Sequence, residues 1–575
     1  MSKSWFAHYD PGVPHTLDYP AITLDQLLRQ AAQQRREHPA LIFGSMAGPL
    51  LLDQKLSYGW LDEAVNRFAA GLRQLGVRPG DRVTIMLPNC PQFVIAAFAT
   101  WRLGGIVVCC NPLYVERELR HLLSDSDSRI IVALSSLYGR IEQVRQGHEC
   151  RCILVNIKEY LPAPLRLLFT LLREKREGYR PVIAANAAAQ THWFQEILQM
   201  GSPAPLPSGS DPAQVATLVY TGGTTGLPKA VQLTHANTIA NATALNVWVN
   251  VRPSGEIAVA GMPFFHAYGL TVGLVAAVLR ANTMLLIPDP RQLRHVLTAI
   301  VRHRATLYPG VPTMFIGINN YPKRDRYDLT CLRFVTSSGA PLPPEVQEQF
   351  ERLTNCPMVE AYGLTEAGVA ATLDPLGKPR PRTAGVPLPD TDVKIVDTDT
   401  GCQELPPGAM GEIIVKGPQV MTGYWNRPEE TAEALRVGPD GQPGWLYSGD
   451  TGFLDEDGYL HVLDRKKDMI IASGYNIYPA EVEGVLFEHP AVEETAVIGV
   501  PHPHRGETVK AFVVLKGETS ATAEELTDFC RARMAPYKVP RQIEFRDALP
   551  KSPVGKVLRR ELREAVQAGE AAVTV

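Results

Sequence analysis

The sequence lacks a C-x-x-C pair, and its nine cysteines, Cys90, Cys109, Cys110, Cys150, Cys152, Cys331, Cys356, Cys402 and Cys530, are odd in number and scattered. That spacing excludes a disulfide framework and the common zinc patterns, and it points to reduced thiols in a cytoplasmic compartment. Net charge is small, formally −3, which excludes the strongly basic domain expected of a nucleic-acid binder. Any anionic ligand must be met by local basic clusters. The opening residues lack an apolar h-region, so no secretory signal is expected. One stretch, 257–279, has no Asp, Glu, Lys or Arg over a length that could span a bilayer. Pro263 interrupts it. The expectation is a short strand over 257–262, a loop, and an apolar helix over 269–279.

With 45% hydrophobic and 20% charged residues, the chain has the composition of an ordinary globular enzyme. Its length suits about three or four folding units of ~100–200 residues each. From Leu24 to about Met200, helical patterns alternate with apolar runs at 83–87, 106–110 and 130–134, and the alternation resumes at 215–220, 283–287, 306–308 and 332–336. This is α/β patterning with parallel sheets. From Asp392 to Lys416 short strands and Gly/Pro turns suggest a small β-rich subdomain. The expected architecture is a large amino-terminal domain over 1–464, with two α/β sheets plus that subdomain. A smaller α+β domain follows over 465–575. The charged run Asp464-Arg465-Lys466-Lys467-Asp468 reads as a hinge or as a solvated face, and composition alone leaves both open.

The segment 157–180 stands apart. Leu161, Leu165, Leu168, Phe169 and Leu172 fall at helical spacings, with Arg166, Arg173, Lys175 and Arg176 nearby. Such a segment lies on a bilayer or docks on its own domain; Pro162 and Pro164 place the start of a regular helix near Leu165.

What the chain does have is a phosphate cradle. Residues 220–229, Tyr-Thr-Gly-Gly-Thr-Thr-Gly-Leu-Pro-Lys, follow an apolar strand-like run. Glycines permit close backbone approach, threonine hydroxyls donate, and Lys229 supplies charge. Leu227 and Pro228 separate Gly226 from Lys229, so this is not a P-loop, and G-x-G-x-x-G is absent. Further motifs follow in order: Pro263-Phe264-Phe265-His266-Ala267-Tyr268-Gly269, Ser337-Ser338-Gly339-Ala340-Pro341-Leu342, Glu360-Ala361-Tyr362-Gly363-Leu364-Thr365-Glu366, Trp445-Leu446-Tyr447-Ser448-Gly449-Asp450 and Pro550-Lys551-Ser552-Pro553-Val554-Gly555-Lys556.

Together these motifs resemble the adenylate-forming (AMP-binding) superfamily, most closely its long-chain fatty-acid CoA ligase branch, over nearly the whole chain. Members of that family let a carboxylate attack the α-phosphate of ATP, release pyrophosphate, and pass the acyl group from AMP to CoA. The resemblance implies ATP, Mg²⁺ and CoA as partners, with a fatty acid as substrate. It implies that Thr221, Gly222, Gly223, Thr224, Thr225, Gly226 and Lys229 hold the β- and γ-phosphates. Gly339 and Ala340 approach the adenine, and Tyr362 stacks on it. Thr365 touches the α-phosphate, and Glu366, with Thr221, holds Mg²⁺. Asp450 and Arg465 take the ribose, and His266 lies in the acyl pocket. Lys556 is the adenylating lysine, Lys467 the pivot, and Gly474 lies on the CoA path. Ala230 stands where the family usually has glycine. Medium-chain or aryl-CoA ligases, acyl-AMP ligases serving a carrier protein, and a non-catalytic nucleotide- or acyl-CoA-binding membrane scaffold are the competing readings. A cytoplasmic enzyme, touching a membrane peripherally through 157–180, is the expected setting.

Overall fold

The computed structural model describes residues 3–145, 150–206, 210–221, 228–466, 468–472, 475–502, 506–517, 519–552 and 557–573. Two large sheets dominate. The eight-stranded one runs in the order Gly423–Tyr424, Lys229–Thr234, Val215–Thr221, Ile106–Cys109, Arg82–Met86, Ile130–Leu134, Arg151–Val155, Thr191–Trp193. It is parallel except where Lys229–Thr234 and Gly423–Tyr424 close one edge. In the nine-stranded sheet, the central strands Met358–Tyr362, Phe334–Ser338, Leu307–Gly310, Ile257–Ala260, Thr283–Leu286 and Pro39–Ala47 are parallel.

Parallel strands carry helices on both faces, which is why these segments read as unbroken apolar runs. Alternation sorts them by side: Val83 and Ile85 face the main core between the sheets, and Met86 faces a second core under Leu119, Leu122 and Ile141. Helices start where the sequence provides caps. Thr23 and Gln26 form a capping box before Leu24–Gln34, and Ser57 caps Tyr58–Gln74.

A smaller antiparallel sheet contains Asp392–Val396, Gly411–Lys416 and Trp445–Leu454, with Leu460–Arg465 paired to the last. The carboxy-terminal sheet joins Ile470–Ala472, Gly506–Leu515, Val492–His502 and Gln542–Phe545. Pro479–Phe487 and Ala523–Arg531 cover one face of it, and Leu562 of Arg559–Val573 packs on the other.

Three expectations are adjusted by this structure. The charged run is not a free linker throughout, because Asp464 and Arg465 end the strand Leu460–Arg465. The helix near 165 spans Ala163–Leu172, with Pro162 as its cap and Pro164 in its first turn, a place where a missing N–H costs nothing. Its expected apolar face is divided: Leu161, Leu165 and Phe169 are buried in the main core, while Leu168 and Leu172 are exposed. The uncharged stretch 257–279 folds as the strand Ile257–Ala260, then a π-helical segment Gly269–Val275 continuing into Ala276–Leu279. Among the described residues no helix is long and apolar enough to cross a membrane.

Candidate active site

Gly222, Gly223, Thr224, Thr225 and Gly226, expected to form the phosphate loop, lie outside the described residues, and the strands on either side of them are paired. Thr221 and Lys229 are directly paired in the antiparallel ladder, and Thr221 Oγ1 donates to the Lys229 carbonyl at 3.3 Å. The helix Glu116–Ser126 braces the hairpin. His121 Nε2 lies 3.0 Å from the Pro228 carbonyl, and Tyr220 donates to Asp125 Oδ2 at 2.8 Å. Arg427 pairs with the same carboxylate at 3.1 Å.

Tyr424 connects this loop to Glu366. The Lys229 ammonium sits 5.1 Å from the Tyr424 ring centre, and the Tyr424 hydroxyl donates to Glu366 Oε1 at 2.9 Å. Burial first, and then the Glu366 charge, push that hydroxyl far above its ordinary pKa, so it stays a donor. Glu366 lies in the single turn Thr365–Ala367, whose backbone is held by Met421 N–H donating to the Glu366 carbonyl at 2.8 Å. Sequence reading missed Tyr424, Asp125 and His121. Their roles depend on contacts between segments distant in sequence, and the aromatic pair Tyr424-Trp425 was the only local signal.

Gly339, Ala340 and Tyr362, the residues expected around the adenine, lie at the carboxyl ends of two adjacent parallel strands, the usual ligand side of an open α/β sheet. Ser338 pairs with Ala361, which puts Gly339 and Ala340 beside Tyr362. Gly339 has φ +83, a conformation that suits glycine. At Gly363 a Cβ would lie 1.8 Å from the Val369 carbonyl, so only glycine allows that approach. The Tyr362 hydroxyl donates to Asp450 Oδ2 at 2.8 Å, and Arg465 Nε lies 2.7 Å from Asp450 Oδ1. Asp450 and Arg465 are register partners in one hairpin, so two motifs 15 positions apart meet by strand pairing. Against the cost of burial, the neighbouring Asp450 charge keeps Arg465 above its usual pKa.

Behind Tyr362, the buried Asp374 and the half-buried Glu360 form an acid pair. Asp374 N–H donates to the Glu360 carbonyl at 3.1 Å, and Thr383 Oγ1 donates to Asp374 Oδ1 at 3.2 Å. Burial pushes Asp374 up to about 7, and burial with the Asp374 charge pushes Glu360 well above the carboxylate range. The unfolded chain would hold the Asp374 proton only below about pH 3.9. Stability from the neutral acid is therefore full below that pH, falls as pH rises towards 7, and is gone above it. Between pH 6 and pH 8 the wild-type melting temperature should fall by roughly 2–4 °C more than that of Asp374→Asn, measured by calorimetry. Equal slopes would contradict the buried acid.

An apolar cavity with about 730 Å³ of empty space, its open mouth included, lies between the nine-stranded sheet and the helices His235–Trp248 and Gly269–Leu279. Phe334, Thr336 and Ser338 line it from alternate positions of one strand, so it follows the strand direction. Its near end is at Ser338 and Ala361, beside Gly339 and Tyr362. Ala258 and Leu307 line the far end, level with Phe334. Tyr268 lines the wall and His266 does not; the His266 ring instead accepts from Tyr268 N–H at 3.3 Å.

Lys467, Gly474 and Lys556 lie outside the described residues. Around them, Asp464 accepts from Arg559 at 2.8 Å and from Ala480 N–H at 3.0 Å. Arg559 also grips Glu483 with two contacts of 2.8 Å, and Arg563 reaches Asp468 at 2.6 Å. Lys551 is paired with Glu494.

Residues 28–425 match the family model of the AMP-binding enzyme, and 481–556 match the AMP-binding enzyme C-terminal domain. A long-chain-fatty-acid–CoA ligase of Bacillus subtilis (strain 168) is 42% identical over 569 residues, covering 98% of each chain. One of Escherichia coli O6:H1 is 36% identical over 574 residues, again covering 98% of each. Among solved structures, the anthranilate CoA ligase AuaEII in complex with anthranoyl-AMP superposes with a TM-score of 0.83 at 25% identity, covering 96% of this chain and 99% of that one. With matched models over most of its length and full-length relatives at these identities, the chain belongs to the AMP-binding enzyme family.

Proposed function

We propose that this chain activates a fatty acid with ATP to an acyl-adenylate and transfers the acyl group to CoA. The observation that carries this is the juxtaposition of two sites. The elongated apolar cavity ends at Ser338 and Ala361, one residue before Gly339 and Tyr362 of the nucleotide site. An acid whose chain fills the cavity has its carboxylate where the α-phosphate of a nucleotide held by Tyr362, Asp450 and Arg465 would be met. A pocket lined mainly by apolar side chains and following a strand suits a flexible alkyl chain.

The reacting partners are both anions, so the protein must offset negative charge. Lys229 does so at the hairpin that closes the phosphate loop, where Gly222, Gly223, Thr224, Thr225 and Gly226 would supply backbone and hydroxyl donors. Thr365 takes the α-phosphate, and Arg465 holds Asp450 in place to accept from the ribose hydroxyls, a task suited to a group with acceptors only. Among the described residues there is no cluster of three or more His, Cys, Asp or Glu side chains able to hold a metal. A single carboxylate, Glu366, helped by the Thr221 hydroxyl, fits Mg²⁺, which usually takes one or two carboxylates and completes its shell with substrate phosphates and water. Bound there, the ion neutralises phosphate charge. Lys556 is the cation for adenylation, brought in by a carboxy-terminal domain over 465–575 that turns about Lys467; Gly474 then borders the CoA path. The chain works in the cytoplasm on this reading.

Incubation with ATP, Mg²⁺, hexadecanoate and CoA should yield hexadecanoyl-CoA, AMP and pyrophosphate in equal amounts by mass spectrometry. Accumulation of acyl-AMP without thioester would replace free CoA by a carrier protein as acceptor. Preference for an aromatic acid over every alkanoate would overturn the fatty-acid assignment.

A further inference from the structure

The helix Ala163–Leu172 is apolar on two sides. Leu165 and Phe169 enter the main core, where Phe169 meets the Tyr179 ring edge-on at 5.2 Å. Leu167, Leu168, Leu171 and Leu172 remain 62%, 45%, 72% and 60% exposed. Their spacing of i, i+1, i+4 and i+5 makes one continuous stripe on the outer side. Scattered exposed leucines are ordinary, but a contiguous group marks a surface that meets something.

The rim of the stripe is basic. Arg166, Arg173, Lys175 and Arg176 are all exposed, and 157–180 holds six basic side chains against three acidic ones. One of those acids, Glu174, is buried beneath the segment by Lys158 at 2.6 Å and Arg180 at 2.8 Å. Glu177 is shared by Arg173 and Arg176. The outward face is therefore positive on a chain whose formal charge is −3.

We propose that this helix docks on an anionic lipid bilayer, lying in the interface with its four leucines among the acyl chains and its arginines and lysine at the headgroup phosphates. The side chains favour lipid over a protein partner. Protein interface cores are enriched in aromatic anchors, and this stripe has none among its leucines. A basic rim suits a surface of uniform negative charge. The placement also connects to the cavity. The Tyr160 carbonyl, just before the helix, accepts from Gln54 at 2.6 Å, and its ring meets Trp60 edge-on at 5.4 Å. Two residues before Trp60, the Tyr58 hydroxyl donates at 2.6 Å to the carbonyl of Asn282, a residue of the cavity wall. Docking surface and acyl cavity thus rest on the same helical turn, although the surface argument stands without the ligase reading.

The full chain is floated with vesicles of phosphatidylcholine alone and of phosphatidylcholine with phosphatidylglycerol, at low and high salt. Binding to the anionic vesicles should exceed binding to the neutral ones and should fall with salt. Each buried leucine contributes roughly a tenfold factor. Replacing Leu167, Leu168, Leu171 and Leu172 together by glutamine should therefore weaken binding at least about a hundredfold, and Leu171→Gln alone roughly tenfold. Pyrophosphate release from octanoate, measured in the same samples, should be unchanged and reports separately on the ligase reading. Flotation of the quadruple variant like wild type overturns the proposal, and so does equal binding to both vesicles at both salts. A wild-type dimer that the variant splits, with no flotation of either, assigns the stripe to a second copy instead.

Discussion

An Asp450→Ala variant is expected to lose about 10²–10³-fold in kcat/KM for ATP while keeping its affinity for the acid. Two ribose hydroxyls would each donate to this carboxylate, and hydrogen bonds to a charged partner contribute about 1.5–3 kcal/mol each. The pair spans roughly 3–6 kcal/mol, and because both carboxylate oxygens already accept from Tyr362 and Arg465 the low end, about 3–4 kcal/mol, applies, a factor of 10²–10³ at about 1.4 kcal/mol per decade. The structure adds a second cost. Asp450 is buried, and its removal leaves the Arg465 guanidinium and the Tyr362 hydroxyl without the partner that now holds them at 2.7 and 2.8 Å. Part of the loss will appear as lower stability, because the buried Tyr362 hydroxyl loses its acceptor, while the half-buried Arg465 can turn to water. Asp450→Asn separates the two effects: it keeps the shape and one acceptor for Tyr362, and should show a smaller drop in melting temperature with a loss in kcat/KM of about tenfold or more. Steady-state pyrophosphate release over a range of ATP, with calorimetry on the same proteins, gives both numbers. A kcat/KM for ATP within about threefold of wild type in the alanine variant would remove Asp450 from the nucleotide site.

The sequence showed most clearly the parts of this fold that are buried on both faces. Runs such as 83–87, 106–110 and 130–134 became the strands Arg82–Met86, Ile106–Cys109 and Ile130–Leu134, because a parallel strand under two helical layers has no polar side to break the pattern. Periodicity could say that 163–172 is helical and apolar. It could not say which side faces the core, because both sides carry leucine, and only packing settled that Leu165 and Phe169 turn inward. Motif order foresaw the neighbourhood of Tyr362, Asp450 and Arg465. It could not foresee Tyr424, which joins the Lys229 hairpin to Glu366 from an edge strand added by residues nearly two hundred positions later. The charged run looked like a hinge because of its composition, yet four of its five charges are already committed: Asp464 to Arg559, Arg465 to Asp450, Lys466 to Glu412 and Asp468 to Arg563. Of the cavity's lining only Tyr268, Ser338 and Ala361 fall in the motifs; the rest is scattered along the chain and mostly small or apolar, which carries no motif.

That cavity gives the other large expected effect, in an Ala258→Phe variant. Ala258 lies on Ile257–Ala260, pairs with Leu307, and through it stands level with Phe334 at the amino ends of the strands. Ser338, at the nucleotide end, is four residues further along the same strand as Phe334, a distance of about 13 Å at 3.3 Å per residue. A phenyl ring at position 258 therefore fills the far end of the cavity and leaves the near end open. A long acid must then leave its terminal methylenes out of the cavity, at about 0.8 kcal/mol for each one no longer buried. Excluding about four of them corresponds to roughly a hundredfold. The kcat/KM for hexadecanoate should fall by about that factor while the value for octanoate stays within about threefold of wild type, so that the preference between them inverts. Because the ring enters empty space, its cost to the fold should lie at the low end of the ~1–3 kcal/mol typical of overpacking. Ala258→Leu, with a smaller intrusion, should give the same inversion in weaker form if the phenylalanine variant folds poorly. A parallel loss on both acids would mean that the chain does not run towards Ala258, and an unchanged preference in a folded variant would place the acyl group outside this cavity.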